Sequence, residues 1–226
     1  INFSKTLFMT ELEKDIEFVW HPFTQVKTEA PAIHIVKAQK SLLIDNNGEE
    51  YIDCNSSWWV NLHGHNNSYI RKAINEQFKK VDHIIFAGAT HSKAIELAER
   101  VVNKLPNPLS KVFFSDDGST AVEVALKMAI QYWHNKGEIR TKILALDGAY
   151  HGDTFGAMSV GERGVFNRPY ESLFFDVDFL DFPTHENEAS LLNQAENLLK
   201  ERKYAAIILE PLIQGSAGMR MYSTNF

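Results

Sequence analysis

The sequence predicts an α/β fold: a mainly parallel β-sheet with helices on both faces, preceded by a small α+β segment. Short apolar runs at 112–114, 143–146 and 205–209 alternate with longer stretches of helical periodicity, which is typical of a parallel sheet. The runs are continuously apolar, as strands must be when helices cover both faces of the sheet.

Residues 1–65 are predicted to form the N-terminal segment, part of a small domain, with a helix and a β-hairpin. Apolar residues at helical spacing between Leu12 and Trp20 indicate the helix. The hairpin is predicted from strands at 42–44 and 51–53, which flank an Asn-Asn-Gly turn where positive φ costs little.

Residues 66–226 are predicted to form the first part of a large α/β domain whose C-terminal part is missing. Its helices are expected at 69–80, 94–105, 119–134, 154–159 and 186–203. The chain stops soon after a predicted strand, and an open sheet edge is normally paired or covered. We therefore expect this chain to be the front portion of a longer protein.

The composition argues against a nucleic-acid-binding protein and against a membrane-spanning protein. The chain has 226 residues, a formal net charge of −6 and 44% hydrophobic residues. A mildly acidic chain is poorly suited to nucleic-acid binding, and the lack of an apolar run of about 18 residues predicts no membrane span. The single cysteine, Cys54, favours a reducing compartment, so a cytoplasmic protein is expected. No metal site is expected.

The segment from Ser115 to Thr120, between a predicted strand and a predicted helix, indicates an anion site. Gly118 lets the backbone approach a ligand, and Ser119 offers a hydroxyl at the helix N-terminus, where free N–H groups attract phosphate. The alternative is an ordinary helix cap. The loop has neither the lysine of a Walker A motif nor a G-x-G-x-x-G pattern.

Two further clusters follow predicted strands. Tyr150 and His151 come after the strand at 143–146, and loops after adjacent parallel strands meet at one edge of the sheet. An aromatic ring there can stack on a planar cofactor, although core packing is the alternative for both residues. Glu210 also ends a strand, where it is either a polar group at the ligand edge or part of an ordinary turn.

The third cluster is the pair Trp58 and Trp59, close to Gly64 and His65 in the sequence. Adjacent tryptophans of this kind can wall an apolar substrate pocket. Packing in a core or an interface is the competing interpretation.

These motifs together resemble class III aminotransferases, which have fold type I and depend on pyridoxal 5'-phosphate. The resemblance is carried by FFSDDGSTAVEVALKMAIQYW, DGAYHGDTFGAMSVGERG and ILEPLIQGSAGMRMY, and it covers nearly the whole chain. Within the class, WHPFTQ, SSWWVNLHGH and FAGATHSKAIELAE look closest to the branch that serves biotin synthesis. That branch transfers an amino group, expected to come from S-adenosylmethionine, to 8-amino-7-oxononanoate to give 7,8-diaminononanoate.

The resemblance implies a cofactor site in this chain. Gly118 and Ser119 match positions that bind the cofactor phosphate. Tyr150 matches the aromatic residue that stacks on the pyridine ring and lines the substrate site, and His151 matches a supporting residue of the same motif.

The resemblance also implies a substrate site shared between two subunits of a homodimer. Trp58 and Trp59 match walls of the substrate pocket, and Gly88 matches a glycine that the partner subunit's site reaches. Phe23 stands where many members have a tyrosine that helps to recognise the keto substrate. Phe23 keeps the ring and loses that hydrogen bond, which leaves substrate recognition and the amino donor open.

No catalytic residue is expected within this chain, because the resemblance places the Schiff-base lysine and an essential aspartate after residue 226. Lys111, Lys127 and Lys142, for example, do not lie in the matching context. Two alternatives remain: another class III aminotransferase acting on an ω-amine, and a catalytically inactive truncated fragment that serves as an interaction module.

Overall fold

The computed structural model describes residues 9–226, which form two compact units. The first unit ends at Arg100, and the second runs from Val101 to Phe226. The boundary predicted near residue 65 concerns the domains of the whole protein and stays a prediction. Residues 1–8 of the predicted N-terminal segment lie outside the described residues.

The first unit is built around an antiparallel sheet of three strands in the order β1-β2-β3. Its elements are helix α1 (Glu11–Phe18), strands β1 (Ile35–Gln39), β2 (Leu42–Asp45) and β3 (Glu50–Ile52), the short turn α2 (Ser56–Trp59), and helices α3 (Ser68–Phe78) and α4 (Ser92–Val102). The predicted hairpin is confirmed as β2 and β3. The buried Asp45 side chain fixes its turn by accepting the N–H groups of Asn47 and Glu49 at 2.8 and 2.9 Å.

The second unit contains a parallel sheet of three strands in the order β5-β4-β6. Its elements are helix α5 (Gly118–Asn135), strand β4 (Lys142–Leu146), helix α6 (Phe155–Ser159), a 3-10 helix (Arg168–Leu173), strand β5 (Val177–Leu180), helix α7 (Glu188–Lys200), strand β6 (Tyr204–Ile208), and the short pair β7 (Ile213–Gln214) and β8 (Arg220–Met221).

Helices cover both faces of this sheet, as predicted. On one face, Leu144 and Leu180 pack against Leu191 of α7. On the other face, Ile143 packs against Leu126 of α5. The alternation of side chains along a strand explains why Ile143 and Leu144 belong to different clusters.

One strand prediction in this unit was wrong, and one strand was not predicted. Residues 112–114 form no strand in the described part of the chain, where no neighbouring strand pairs with them. Strand β5 was not predicted, because Asp178 interrupts its apolar pattern. Asp178 is tolerated there because Lys142 lies 3.1 Å from its carboxylate and the Tyr204 hydroxyl also donates to it.

The C-terminal end of α5 is attached to the sheet by an aromatic side chain. Trp133 donates from Nε1 to the carbonyl oxygen of Ala205 in β6 over 2.9 Å. The Arg140 guanidinium stacks on the Trp133 ring with 3.4 Å between guanidinium carbon and ring centroid. This end of the helix is therefore held by a hydrogen bond and a cation–π contact.

The helices of residues 9–226 do not combine the length and apolar character that a membrane crossing requires.

Candidate functional site

The N-terminus of α5 presents free backbone donors. Asp117 is extended and caps the helix, accepting the N–H of Thr120 at 2.7 Å, while Thr120 Oγ1 accepts the N–H of Asp117 at 3.1 Å. Within the described part of the chain, the N–H groups of Gly118 and Ser119 have no acceptor. No atom lies within 4 Å of the point where a Cβ on Gly118 would sit. The helix start therefore offers donors and open space to an anion.

The loop that follows β4 lies against this helix start. Ser119 Oγ accepts the N–H of Thr154 at 3.0 Å and lies 2.9 Å from Thr154 Oγ1. Gly152, with φ of +126°, approaches so closely that an added Cβ would lie 2.3 Å from Ser119 Oγ. The structure thus brings the loop with Tyr150 and His151 to the predicted phosphate loop.

A second contact from α5 holds the same loop. Glu123 Oε1 accepts the N–H groups of Gly156 and Ala157 at 2.7 and 3.2 Å. A carboxylate is favourable at the start of α6, where N–H groups have no partner within their own helix. Helix α5 and the Tyr150 loop are therefore joined at Ser119 and at Glu123, one helical turn apart.

Tyr150 is held at its backbone and at its hydroxyl. Its N–H donates to Glu210 Oε1 over 2.9 Å, and its hydroxyl donates to Asp153 Oδ2 over 2.8 Å. Burial, together with Asp153, raises the pKa of Tyr150 to about 12. Glu210 also accepts the N–H of Gly215 at 2.9 Å through its other oxygen, so it joins two loops. Glu210 was predicted either to lie at the ligand edge of the sheet or to belong to an ordinary turn. In the structure it positions Tyr150.

Two buried polar atoms beside this loop have no hydrogen-bond partner among residues 9–226: His151 Nε2 and Gln214 Oε1. Gln214 is fully buried, and its Nε2 donates to the carbonyl of Asp147 over 2.9 Å. Burial lowers the pKa of His151, against the opposing influence of Glu210. A neutral imidazole nitrogen and an amide oxygen are thus buried side by side with the Tyr150 loop without a hydrogen-bond partner among the described residues.

This arrangement fits a phosphorylated heteroaromatic molecule. The two N–H groups and the Ser119 hydroxyl suit a phosphate, and the half-exposed Tyr150 ring suits a planar ring. No group of three or more metal-binding side chains occurs among the described residues.

Trp58 and Trp59 lie in an unusual backbone turn of the first unit. Four consecutive residues, from Ser56 to Trp59, have φ between 49° and 64°. Such left-handed geometry costs non-glycine residues about 1–2 kcal/mol each, so the surroundings must impose it. Two restraints are visible. The N–H and hydroxyl of Ser57 each donate to Asp53 over 2.9 Å, and Asn55 accepts the N–H groups of Trp58 and Trp59 at 3.4 and 2.8 Å.

The structure brings two predicted substrate residues together. The rings of Phe23 and Trp58 meet edge to face with 5.6 Å between centroids. Both side chains remain largely exposed, at 73% and 64%, and Trp59 is similarly exposed. Gly88 lies on an exposed loop with φ of +94°. These four residues belong to the first unit, and the cofactor candidates belong to the second.

The sequence did not point to four residues that hold these sites in place: Glu123, Thr154, Asp53 and His65. Thr154 is the residue before α6, but its hydroxyl does not cap that helix. A threonine at a helix start was the available signal for a residue that contacts this site. Asp53 and His65 lie 12 residues apart, and no local pattern joins them.

Comparison with known proteins identifies the family. The model of the family "Aminotransferase class-III" matches residues 23–226. The chain is 50% identical over 216 residues to the adenosylmethionine-8-amino-7-oxononanoate aminotransferase of Synechococcus elongatus, covering 92% of this chain and 51% of the relative.

Two solved structures are similar to the fold. The enzyme of the same name from Methanocaldococcus jannaschii superposes with a TM-score of 0.84 at 40% identity, covering 93% of this chain and 48% of the other. A PLP-bound amine transaminase from an uncultivated Pseudomonas species superposes with a TM-score of 0.76 at 31% identity, covering 88% and 49%.

The chain spans about half the length of the curated relatives and solved structures that it matches. The structural neighbours confirm the prediction of a partial fold type I. The family and its PLP-bound neighbour indicate pyridoxal 5'-phosphate as the cofactor. The chain belongs to the class III aminotransferases.

Proposed function

We propose that the whole protein is the aminotransferase of biotin synthesis. In this proposal it transfers an amino group from S-adenosylmethionine to 8-amino-7-oxononanoate and forms 7,8-diaminononanoate. The identity of 50% to a curated relative with that name supports this substrate class. One feature of the structure carries the aminotransferase assignment: the open helix start at Gly118 and Ser119, joined through Thr154 to the loop that bears Tyr150.

Gly118 and Ser119 are proposed to bind the cofactor phosphate. Their N–H groups are free among the described residues, and the positive end of the α5 dipole favours an anion there. The Ser119 oxygen accepts a hydrogen bond from Thr154 N–H, and its hydroxyl proton can be donated either to Thr154 Oγ1 or to a phosphate oxygen.

Tyr150 and His151 are proposed to hold the ring of the cofactor. Tyr150 offers a ring that Glu210 and Asp153 keep in one position, and His151 offers a neutral nitrogen without a partner among residues 9–226. When bound, pyridoxal 5'-phosphate supplies the carbonyl carbon and the electron-withdrawing ring through which an amino group passes from donor to ketone.

Phe23, Trp58 and Trp59 are proposed to bind the apolar chain of the keto substrate. Tyr150 is separately proposed to contact the substrate. The exposed, edge-to-face rings of Phe23 and Trp58 supply the apolar surface such a chain needs. Phe23 has no hydroxyl, so recognition of the keto substrate at this position relies on shape.

We further propose a cytoplasmic homodimer in which Gly88 lies beside the partner subunit's active site. In that enzyme, residues 1–65 form part of a small domain, and residues 66–226 form the first part of the large cofactor-binding domain. The lysine that carries the cofactor is proposed to lie in the sequence that follows residue 226 in the whole protein.

A transamination assay of the full-length protein tests the proposal. The expected result is formation of 7,8-diaminononanoate from 8-amino-7-oxononanoate with S-adenosylmethionine, and lysine is assayed in parallel as donor. Activity on simple ω-amines with pyruvate, and none on 8-amino-7-oxononanoate, would instead assign the protein to another class III activity. Absence of transamination with every pair would overturn the proposal and favour a catalytically inactive protein that serves as an interaction module.

A further inference from the structure

Asp53 and His65 form a largely buried pair that contacts the turn carrying the tryptophans. His65 Nε2 lies 2.7 Å from Asp53 Oδ2, and the side chains of His65 and Asp53 are only 14% and 5% exposed. Neither residue is among the proposed cofactor or substrate contacts. A buried carboxylate is retained at low cost only when its hydrogen bonds are satisfied.

The Asp53 carboxylate is satisfied by donors alone. It accepts the N–H of Ser57, the hydroxyl of Ser57 and the Nε2 proton of His65. The Ser57 N–H, followed by His65, lowers the pKa of Asp53 below its usual value. An ionised carboxylate only accepts, so Nε2 of His65 must carry a proton.

Both members of the pair are fixed to the turn between β1 and β2. Asp53 donates its backbone N–H to the carbonyl of Ser41 over 2.9 Å. His65 exchanges two backbone hydrogen bonds with Lys40, at 2.7 and 3.0 Å. The pair therefore connects the antiparallel sheet to Ser57, the residue immediately before Trp58.

We propose that Asp53 and His65 are positioning residues for substrate binding: they hold Ser57 in its left-handed conformation and so fix Trp58 in the keto-substrate pocket. The inference deepens the proposed function, because it rests on the role of Trp58 in that pocket. Asp53 acts on the substrate only through the turn. Its removal then affects binding of the ketone and leaves the cofactor site in the second unit loaded.

The test measures KM for 8-amino-7-oxononanoate, kcat and bound cofactor in the full-length enzyme. Asp53→Asn removes the carboxylate charge and replaces one acceptor oxygen with a donor. All three bonds lose their charged acceptor, and those to the Ser57 hydroxyl and to His65 can form only with donor and acceptor roles exchanged. The expected result is a KM raised about tenfold, with kcat within about threefold and cofactor content unchanged. His65→Leu is expected to raise KM in the same way, whereas His65→Gln, which keeps a side-chain donor, restores a value close to that of the unchanged enzyme.

A double variant shows whether Asp53 acts through Trp58. Trp58→Ala is expected to raise KM by itself, and adding Asp53→Asn is expected to raise it no further. If the increases in KM caused by Trp58→Ala and by Asp53→Asn multiply in the double variant, the inference is overturned. An unchanged KM in Asp53→Asn or His65→Leu would also overturn it. If Asp53→Asn does not fold, Ser57→Ala, which removes one hydroxyl, decides by the same KM criterion.

The matched control is Glu76→Gln, which breaks an ion pair with Lys79 on the exposed surface of α3 and is expected to change neither constant. The outcomes also separate the two proposals. If Trp58→Ala leaves KM unchanged, the proposed pocket fails, and the positioning role fails with it. If Trp58→Ala raises KM and the Asp53 and His65 variants do not, the positioning role alone fails.

Discussion

The hydroxyl of Ser119 accepts the backbone N–H of Thr154 at 3.0 Å and lies 2.9 Å from the Thr154 hydroxyl, which joins two segments 35 residues apart. The N–H of Thr154 occupies one lone pair of the Ser119 oxygen. The remaining hydroxyl proton points either to Thr154 or to a bound anion. The orientation of Ser119 is therefore set before a ligand arrives.

Replacement of Ser119 by alanine is expected to weaken binding of pyridoxal 5'-phosphate by the full-length protein about tenfold. The phosphate loses one hydroxyl donor, and a hydrogen bond to a charged group is worth about 1.5–3 kcal/mol. Equilibrium dialysis of the apo-protein measures the change in dissociation constant. Ser190→Ala is the control, because Ser190 also lies in the first turn of a helix, α7, where its hydroxyl bonds the carbonyl of Asn187. Equal cofactor affinity in the two variants would contradict the phosphate role.

Gly152→Ala is expected to destabilise the protein by about 2–4 kcal/mol and to weaken cofactor retention. The new Cβ would lie 2.3 Å from Ser119 Oγ and 2.8 Å from Ser119 Cα, so the loop and the helix must separate. Urea unfolding of the full-length apo-protein gives the loss of stability.

Gly137→Ala separates steric conflict from backbone strain. Gly137 also has positive φ, +74°, but no atom lies within 4 Å of the Cβ position. This control is expected to cost only about 1–2 kcal/mol and to leave cofactor retention unchanged. Similar losses in both variants would show that Gly152 is required only for its backbone angle.

The ring of Tyr150 is expected to matter more than its hydroxyl for cofactor binding. Tyr150→Phe removes the hydrogen bond to Asp153 and keeps the ring, so affinity for pyridoxal 5'-phosphate is expected to change less than threefold. Tyr150→Ala removes the stacking surface and is expected to weaken binding about tenfold. Absorbance titration of the apo-protein with cofactor compares the variants. A larger loss in the phenylalanine variant would assign the binding energy to the hydroxyl.

His151 is expected to make stability depend on pH. Because burial lowers its pKa from 6.5 in the folded protein, the folded state binds a proton less readily than the unfolded state. The stabilising contribution is therefore present above about pH 6.5 and is lost as the pH falls through the lower, folded-state pKa. Urea unfolding at several pH values compares the unchanged protein with His151→Gln. The difference between their free energies of unfolding should shrink below pH 6.5, and a constant difference would contradict the assignment.

The sequence predicted the elements whose burial produces a continuous or periodic apolar pattern. Strand β4 was predicted because four of its residues are apolar in succession, and the structure buries them between helices on both faces. The Ser119 and Tyr150 loops meet as predicted, through Ser119 and Thr154, although residues 112–114, the strand on which that prediction partly rested, form no strand in the described part of the chain.

The missed features depend on partners distant in the sequence. Asp178 is acceptable in β5 only because Lys142 and Tyr204 lie on neighbouring strands. In the left-handed turn, Ser57 is hydrogen-bonded to Asp53, which is in turn bonded to His65, 12 residues further along the chain. Neither dependence leaves a periodic or compositional signal, so reading the chain in short windows does not reveal it.

The hydrogen bond from Trp133 to Ala205 is one of the contacts that fix the position of α5, together with those of Ser119, Glu123 and Leu126. The helix has 18 residues and is about 27 Å long, and its two ends move together because it is rigid along its axis. Movement of α5 along its axis would break the hydrogen bond of the Trp133 indole. A contact at the C-terminal end of the helix therefore helps to fix the position of its anion-binding N-terminal end. Replacement of Trp133 is therefore expected to change cofactor affinity through the position of α5, without a contact between Trp133 and the cofactor.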